Sequence, residues 1–213
     1  MQSNIYSMEK LTAFVSEHIG DDTTRLIMNR TKWPEIDMDM AVNCIESRRK
    51  LKGKVQEWCD EPGLVFPRKL SAEQCSSSAT GTYKAELAVH ITETDNQNTG
   101  FRLADLTGGL GVDSWFFSKK ASQVMYCEML PELCKAAEHN YAVLKAENIT
   151  VRNAAVISET QIAQAESDDA QCLSAEGVSV FQTPSQILSD FQPDIVYMDP
   201  ARRGEGGKKV FLI

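Results

Sequence analysis

Three glycines set within four residues, Gly108, Gly109 and Gly111, stand out in the stretch Phe101-Arg-Leu-Ala-Asp105-Leu-Thr107-Gly-Gly-Leu-Gly-Val-Asp113. The apolar run over 101–106 reads as a strand, the glycines as a tight loop, and the amphipathic segment over 112–120 as a helix. Glycines at such a crossing allow positive φ and leave main chain bare for a ligand, while the first amides of the helix point towards it. A small organic cofactor is the natural occupant of this cradle.

Charge narrows the choice of cofactor. A dinucleotide fingerprint requires G-x-G-x-x-G, and counted from Gly109 and Gly111 the third position is Ser114. Asp113 falls in the first helical turn, where it suits the helix dipole but repels a pyrophosphate. S-adenosylmethionine carries a sulfonium and an ammonium instead, so carboxylates around the loop favour it. Asp105 closes the strand as a hydrogen-bond acceptor, and Glu128 ends the next apolar run, 124–127, near the ~20-residue spacing at which an acid grips ribose hydroxyls. Thr107, Gly109, Gly111 and Asp113 complete the candidate cofactor contacts of the loop. Upstream, the hydroxyl-rich stretch 71–82 leads to a helix expected over 83–91; it reads either as a capped loop or as a segment in which Thr82, Tyr83 or Lys84 folds over the cradle, with Lys84 or a nearby amide meeting the cofactor's carboxylate.

A second group of residues lies near the end of the sequence. The run Asp194-Ile-Val-Tyr-Met-Asp199-Pro200-Ala-Arg202-Arg203 reads as a buried strand delivering Asp199 and Pro200 to the carboxyl edge of a sheet, where open α/β folds bind ligands. A carboxylate and the carbonyls after it accept hydrogen bonds from an amine and orient its lone pair, which is positioning more than acid–base chemistry.

The elements that must hold these residues follow from periodicity. Residues 5–19 repeat apolar side chains at three and four, a second helix runs from about Asp22 to Asn29, and a longer one is expected from Asp39 through Trp58. Pro62-Gly63 ends it, so 1–70 is expected to be a small helical domain and 71–213 an α/β unit with a Rossmann-like sheet. Pro131 opens a further helix. Both 149–151 and 178–181 qualify as the third strand of the sheet, and periodicity alone leaves the choice open. No apolar run reaches membrane-spanning length and no signal peptide is evident, which points to the cytoplasm. The six cysteines include no C-x-x-C pair, so neither a zinc knuckle nor a disulfide framework is expected. The net charge of −8 arises entirely after residue 70, since 1–70 carries 11 basic against 11 acidic residues. Within that balanced third, Arg48, Arg49, Lys50, Lys52 and Lys54 form a dense run that either meets phosphates or covers a solvated helix face.

With Asp105-Leu-Thr-Gly-Gly-Leu-Gly111, Glu128 and Asp199-Pro-Ala-Arg202 in place, the sequence resembles class I S-adenosylmethionine-dependent methyltransferases. More narrowly it is similar to a bacterial group in which that domain precedes a THUMP-like, ferredoxin-like domain. Trp33-Pro-Glu-Ile-Asp37, the helix around 45–54, Glu73-Gln-Cys-Ser-Ser77 and Tyr83-Lys-Ala85 carry this narrower likeness. The resemblance implies a donor held by Asp105, Gly109, Gly111 and Glu128, an RNA substrate, and a substrate contact at Arg202. Base-amine methyltransferases usually have a second proline and an aromatic after Asp-Pro, whereas Ala201 and Arg202 stand here; Asp-Pro-x-Arg is closer to uridine C5 enzymes, whose later-strand cysteine has no counterpart before Ile213. About four strands and the start of a fifth over 210–213 lead to the expectation of a fragment that binds donor weakly and turns over nothing. An NAD-dependent oxidoreductase and an inactive RNA-binding scaffold are the competing readings.

Overall fold

The structure is a computed structural model that describes residues 2–93, 100–156, 181–182 and 184–199. Among the described residues six α-helices and a 3-10 turn at Arg30–Lys32 precede the first strand: α1 (Gln2–Glu17), α2 (Thr23–Met28), α3 (Met38–Leu51), α4 (Gln56–Asp60), α5 (Lys69–Gln74) and α6 (Ser78–Glu93). Asp22 and Asp37 cap α2 and α3, accepting from the amides of Thr24 at 2.8 Å and Met40 at 3.0 Å, which satisfies donors that the first helical turn leaves free.

One expectation about this region is corrected, and one open choice is narrowed. The long helix from Asp39 to Trp58 is two helices, because the chain turns at Lys52 and Gly53, where φ is +73°. Of the basic run Arg48 alone is buried, while Arg49, Lys50 and Lys52 are exposed, as the solvated helix face requires. Arg48 is buried, its guanidinium donating to the carbonyls of Cys59, Glu61, Pro62 and Leu64 at 2.8–3.0 Å. Arg49 binds the carbonyls of Ile19 and Asp21, Lys50 pairs with Glu73, and Lys54 holds the carbonyl of Glu73. Four of the five cations therefore make contacts within the protein, Arg48 from a buried position and the others from exposed or half-buried ones.

The sheet follows: β1 (Arg102–Asp105), α7 (Val112–Ser118), β2 (Gln123–Glu128), α8 (Pro131–Val143), β3 (Ile149–Asn153), β4 (Ala155–Val156), β5 (Phe181–Gln182), α9 (Pro184–Phe191) and β6 (Ile195–Tyr197). Four strands pair in the order β3-β2-β1-β6, all parallel, with Leu103 opposite both Val124 and Ile195. Pairing with β2 decides the ambiguity over the third strand in favour of 149–153, while Phe181 and Gln182 form a separate two-strand ladder with β4.

The strands read as apolar runs because both faces of the sheet are covered. On one face a continuous cluster joins Leu11, Phe14, Trp58 and Phe66 of the helical region to Trp115, Phe117, Val124 and Tyr141. Asn140 of α8 extends that junction, its amide closing two 2.9 Å hydrogen bonds with the backbone of Val65. On the other face Ala104, Leu106, Met125 and Cys127 pack with Phe191 of α9. β6 differs from the buried strand expected: among the described residues it is an edge strand, and Val196 is 42% exposed.

Candidate functional site

β1 and β2 both end at the carboxyl edge, and the glycine loop between β1 and α7 lies across that edge. The three glycines have different reasons to be glycine. A β-carbon on Gly108 would sit 2.2 Å from the ring of Tyr126, and one on Gly111, at φ +90°, would sit 2.4 Å from the hydroxyl of Tyr141. These two make room for tyrosines packed beneath the loop. The phenols also grip it, Tyr126 donating to the Gly109 carbonyl at 2.7 Å and Tyr141 to the Gly111 carbonyl at 3.0 Å. Gly109, at φ +55°, meets nothing nearer than 3.8 Å, so it alone presents open main chain.

Carboxylates surround that open position. Glu128 points at the loop: one oxygen accepts from the Gly109 amide at 2.9 Å and the other from the Leu130 amide at 2.8 Å. Burial raises its pKa, and those amide bonds oppose the rise. Asp105 is 1% exposed and accepts from the Ser114 hydroxyl at 2.6 Å and the Thr107 amide at 3.0 Å. Desolvation pushes its pKa up to about 7. Ser114, which replaces the third glycine of a dinucleotide fingerprint, is thus a buried partner of Asp105.

The β6 side of the edge carries a second cluster. Lys84 of α6 donates to Asp113 Oδ2 and to Ser76 Oγ, both at 2.9 Å, and to the Tyr197 hydroxyl. Ser76 and Tyr197 each pass a hydrogen bond on to the same Asp113 oxygen at 3.0 Å. The other oxygen, Asp113 Oδ1, is buried and has no hydrogen-bond partner among the described residues. Lys84 reaches this place because α6 packs tightly on α7: a β-carbon on Gly81, one turn earlier, would lie 2.3 Å from the Phe116 ring. α6 starts at Ser78, earlier than the Tyr83 expected, with the Ser77 hydroxyl accepting from the Thr80 amide at 3.2 Å. Asp199 completes the group, its amide donating to Thr107 Oγ1 at 2.7 Å and its carboxylate lying 3.8 Å from the Lys84 ammonium.

All the residues singled out in the sequence that fall within the described chain, Lys84, Asp105, Thr107, Gly109, Gly111, Asp113, Glu128 and Asp199, therefore gather along one sheet edge. Pro200 and Arg202 lie outside the described residues, as do residues 178–180 of the alternative third strand and the run 210–213. Tyr197 and Ser76 escaped the sequence reading. Tyr197 had a usable signal, since in an extended strand it shares a face with Asp199 two residues on. Among the described residues no trio of His, Cys, Asp or Glu is arranged to hold a metal, and no helix is long and apolar enough to cross a membrane.

No family model matches the sequence, and no curated protein does so. Among solved structures, a protein of Porphyromonas gingivalis W83 provisionally described as a methyltransferase aligns with 92% of this chain at 26% identity and a TM-score of 0.63. The fold is Rossmann-like, of the class I methyltransferase kind. The chain spans 41% of that protein's length. Trm5b of Pyrococcus abyssi aligns with 32% of this chain and 20% of its own at 24% identity, with a TM-score of 0.24 that carries no weight.

Proposed function

We propose that this chain forms the donor-binding part of an S-adenosylmethionine-dependent methyltransferase acting on RNA. One observation carries the reading: among the described residues four acids, Asp105, Asp113, Glu128 and Asp199, gather along the edge that holds the glycine loop, with the Lys84 ammonium beside Asp113 and Asp199. Such an edge attracts a cation and repels a diphosphate. The residues fit the donor chemically. Each Glu128 oxygen accepts one amide and keeps a lone pair for a ribose hydroxyl. The buried, unpartnered Asp113 Oδ1 is an acceptor in want of an N–H, which an ammonium provides.

S-adenosylmethionine, when bound, supplies an electrophilic methyl group on sulfur. The protein's own task is then to position the acceptor. Asp199, whose side chain is 49% exposed, has a carboxylate free to take hydrogen bonds from an incoming base while its amide stays tied to Thr107. RNA as the substrate rests on the resemblance of the Asp199-Pro-Ala-Arg202 motif and of the leading helical region, with Pro200 and Arg202 completing the acceptor side. The THUMP-like neighbour domain and a cytoplasmic site of action belong to the same proposal.

Calorimetric titration of the 213-residue chain with S-adenosylmethionine, S-adenosylhomocysteine and NAD tests the donor assignment. Heat from the two sulfur ligands and none from NAD supports it, and heat from NAD alone refutes it. Profiling of modified nucleosides in cells lacking the protein tests the RNA assignment, an unchanged profile counting against it.

A further inference from the structure

We propose that Tyr197 and Ser76 are positioning residues that fix the Lys84 ammonium between Asp113 and Asp199, and so make Asp199 respond to occupancy of the donor cradle. The proposal rests on the methyl-donor reading above and concerns how its two halves communicate.

The argument begins with an imbalance on Asp113. One carboxylate oxygen takes three donors, from Ser76, Lys84 and Tyr197, while the other is buried with none. Leaving a buried carboxylate oxygen without a donor costs stability, so a donor that reaches it gains more than an ordinary hydrogen bond. The two hydroxyls each accept from Lys84 and donate to Asp113, forming closed relays that hold the ammonium on one side of the carboxylate. Tyr197 adds its ring, which lies 4.9 Å beneath the ammonium and is itself braced edge-on by Phe117 at 5.0 Å.

Held there, Lys84 sits 3.8 Å from Asp199 Oδ2, inside ion-pair range though beyond a hydrogen bond. Asp199 is joined to the glycine loop by a second tie, its amide on Thr107 Oγ1. A ligand that engages the bare oxygen of Asp113 or the loop beside Thr107 alters both ties at once. The hydroxyls of Tyr197 and Ser76 set how firmly the ionic tie is held, although neither touches Asp199.

The test follows backbone amides of the 213-residue chain by NMR during titration with S-adenosylhomocysteine, in wild type and in Tyr197→Phe, which keeps the ring and removes only the hydroxyl. Thermal melts confirm that the variant is folded, and Ser76→Ala provides an independent second variant. In wild type the Asp199 amide is expected to shift with the same saturation as Gly109 and Gly111. In either variant the loop amides still shift, the Asp199 shift falls by at least about half, and Kd weakens about 3–10-fold, the worth of one hydrogen bond. An Asp199 shift and a Kd equal to wild type in both variants would overturn the proposal and leave the cluster as a stitch between α6, α7 and β6. Absence of any loop shift in wild type would instead sink the donor reading and this inference with it.

Discussion

Asp105 offers the sharpest test of the electrostatics. Its carboxyl is almost fully buried, with a pKa raised to about 7 by desolvation, the hydrogen bonds from Ser114 and Thr107 compensating only in part. An unfolded chain returns it to about 3.9. A folded pKa above the unfolded one means that the native state holds the proton more tightly, so the stabilisation from this group is full below the unfolded value, falls as pH rises between the two, and is gone above the folded pKa. With these two values, linkage makes Asp105 stabilise the fold by about 2–3 kcal/mol more at pH 5 than at pH 8. Asp105→Asn removes the titration while preserving the shape: the amide oxygen still accepts from Thr107, and the amide nitrogen donates to the Ser114 oxygen. Urea unfolding of both proteins at several pH values across this range isolates the effect, because the other titrating groups, the three histidines included, are common to the two. The advantage of the Asn variant should grow by that amount towards alkaline pH. Parallel curves, differing by less than about 0.5 kcal/mol over the range, would show that Asp105 is ionised in the native state.

The other expectations follow from the same geometry. A cationic donor should displace the proton from Asp105, so calorimetry near pH 6.5 in buffers of different ionisation enthalpy should report proton release on binding; equal heats would argue that the cation does not sense Asp105. Gly108→Ala and Gly111→Ala force a β-carbon into Tyr126 and Tyr141 and should destabilise by about 1–3 kcal/mol, whereas Gly109→Ala adds only the strain of positive φ, about 1 kcal/mol, while weakening donor binding by covering open main chain. Arg48→Met strips four carbonyls of their donor and should cost about 3 kcal/mol or more in chemical unfolding, a loss no surface cation would produce.

How much of this was readable in advance depended on how local the determinants are. The β1–loop–α7 unit was legible because strand pattern, glycines and helix start are encoded within a dozen residues. Glu128 was legible for a related reason: parallel strands joined by one helix return to the same edge after a nearly fixed length. Arg48 was not. Its burial is decided by the carbonyls of residues 59–64, which fold back over α3, and nothing in a run of like charges tells a guanidinium that caps a loop from one that faces water. The division of the long helix at Lys52 and Gly53 was hidden by the apolar stripe that continues into Trp58, since both helices bury that stripe in one core. The competing third strands differed only in pairing partner, a long-range property.

The same distinction bears on the glycines themselves. Sequence reading names Gly109 and Gly111 as ligand contacts, and Gly108 and Gly111 also make room for Tyr126 and Tyr141 beneath the loop. Those phenols hold the loop by its carbonyls, and Glu128 holds it by the Gly109 amide, so the loop is gripped from both sides with Gly109 left open above. A loop fixed in this way has little conformational freedom left to lose when a ligand arrives, and preorganisation of that kind lowers the cost of binding. It also separates two kinds of damage. Tyr126→Phe should leave Glu128 in place but loosen the Gly109 carbonyl, weakening donor affinity through loop entropy while the ring still packs. Glu128→Gln should keep one carbonyl-type acceptor and lose the charge, weakening a ribose-bearing cation more than a neutral nucleoside. Affinities of S-adenosylmethionine and adenosine for both variants, measured by calorimetry, distinguish these cases. Equal loss for the two ligands is the signature expected of Tyr126→Phe, and the same pattern in Glu128→Gln would refute the claim that its charge recognises the donor.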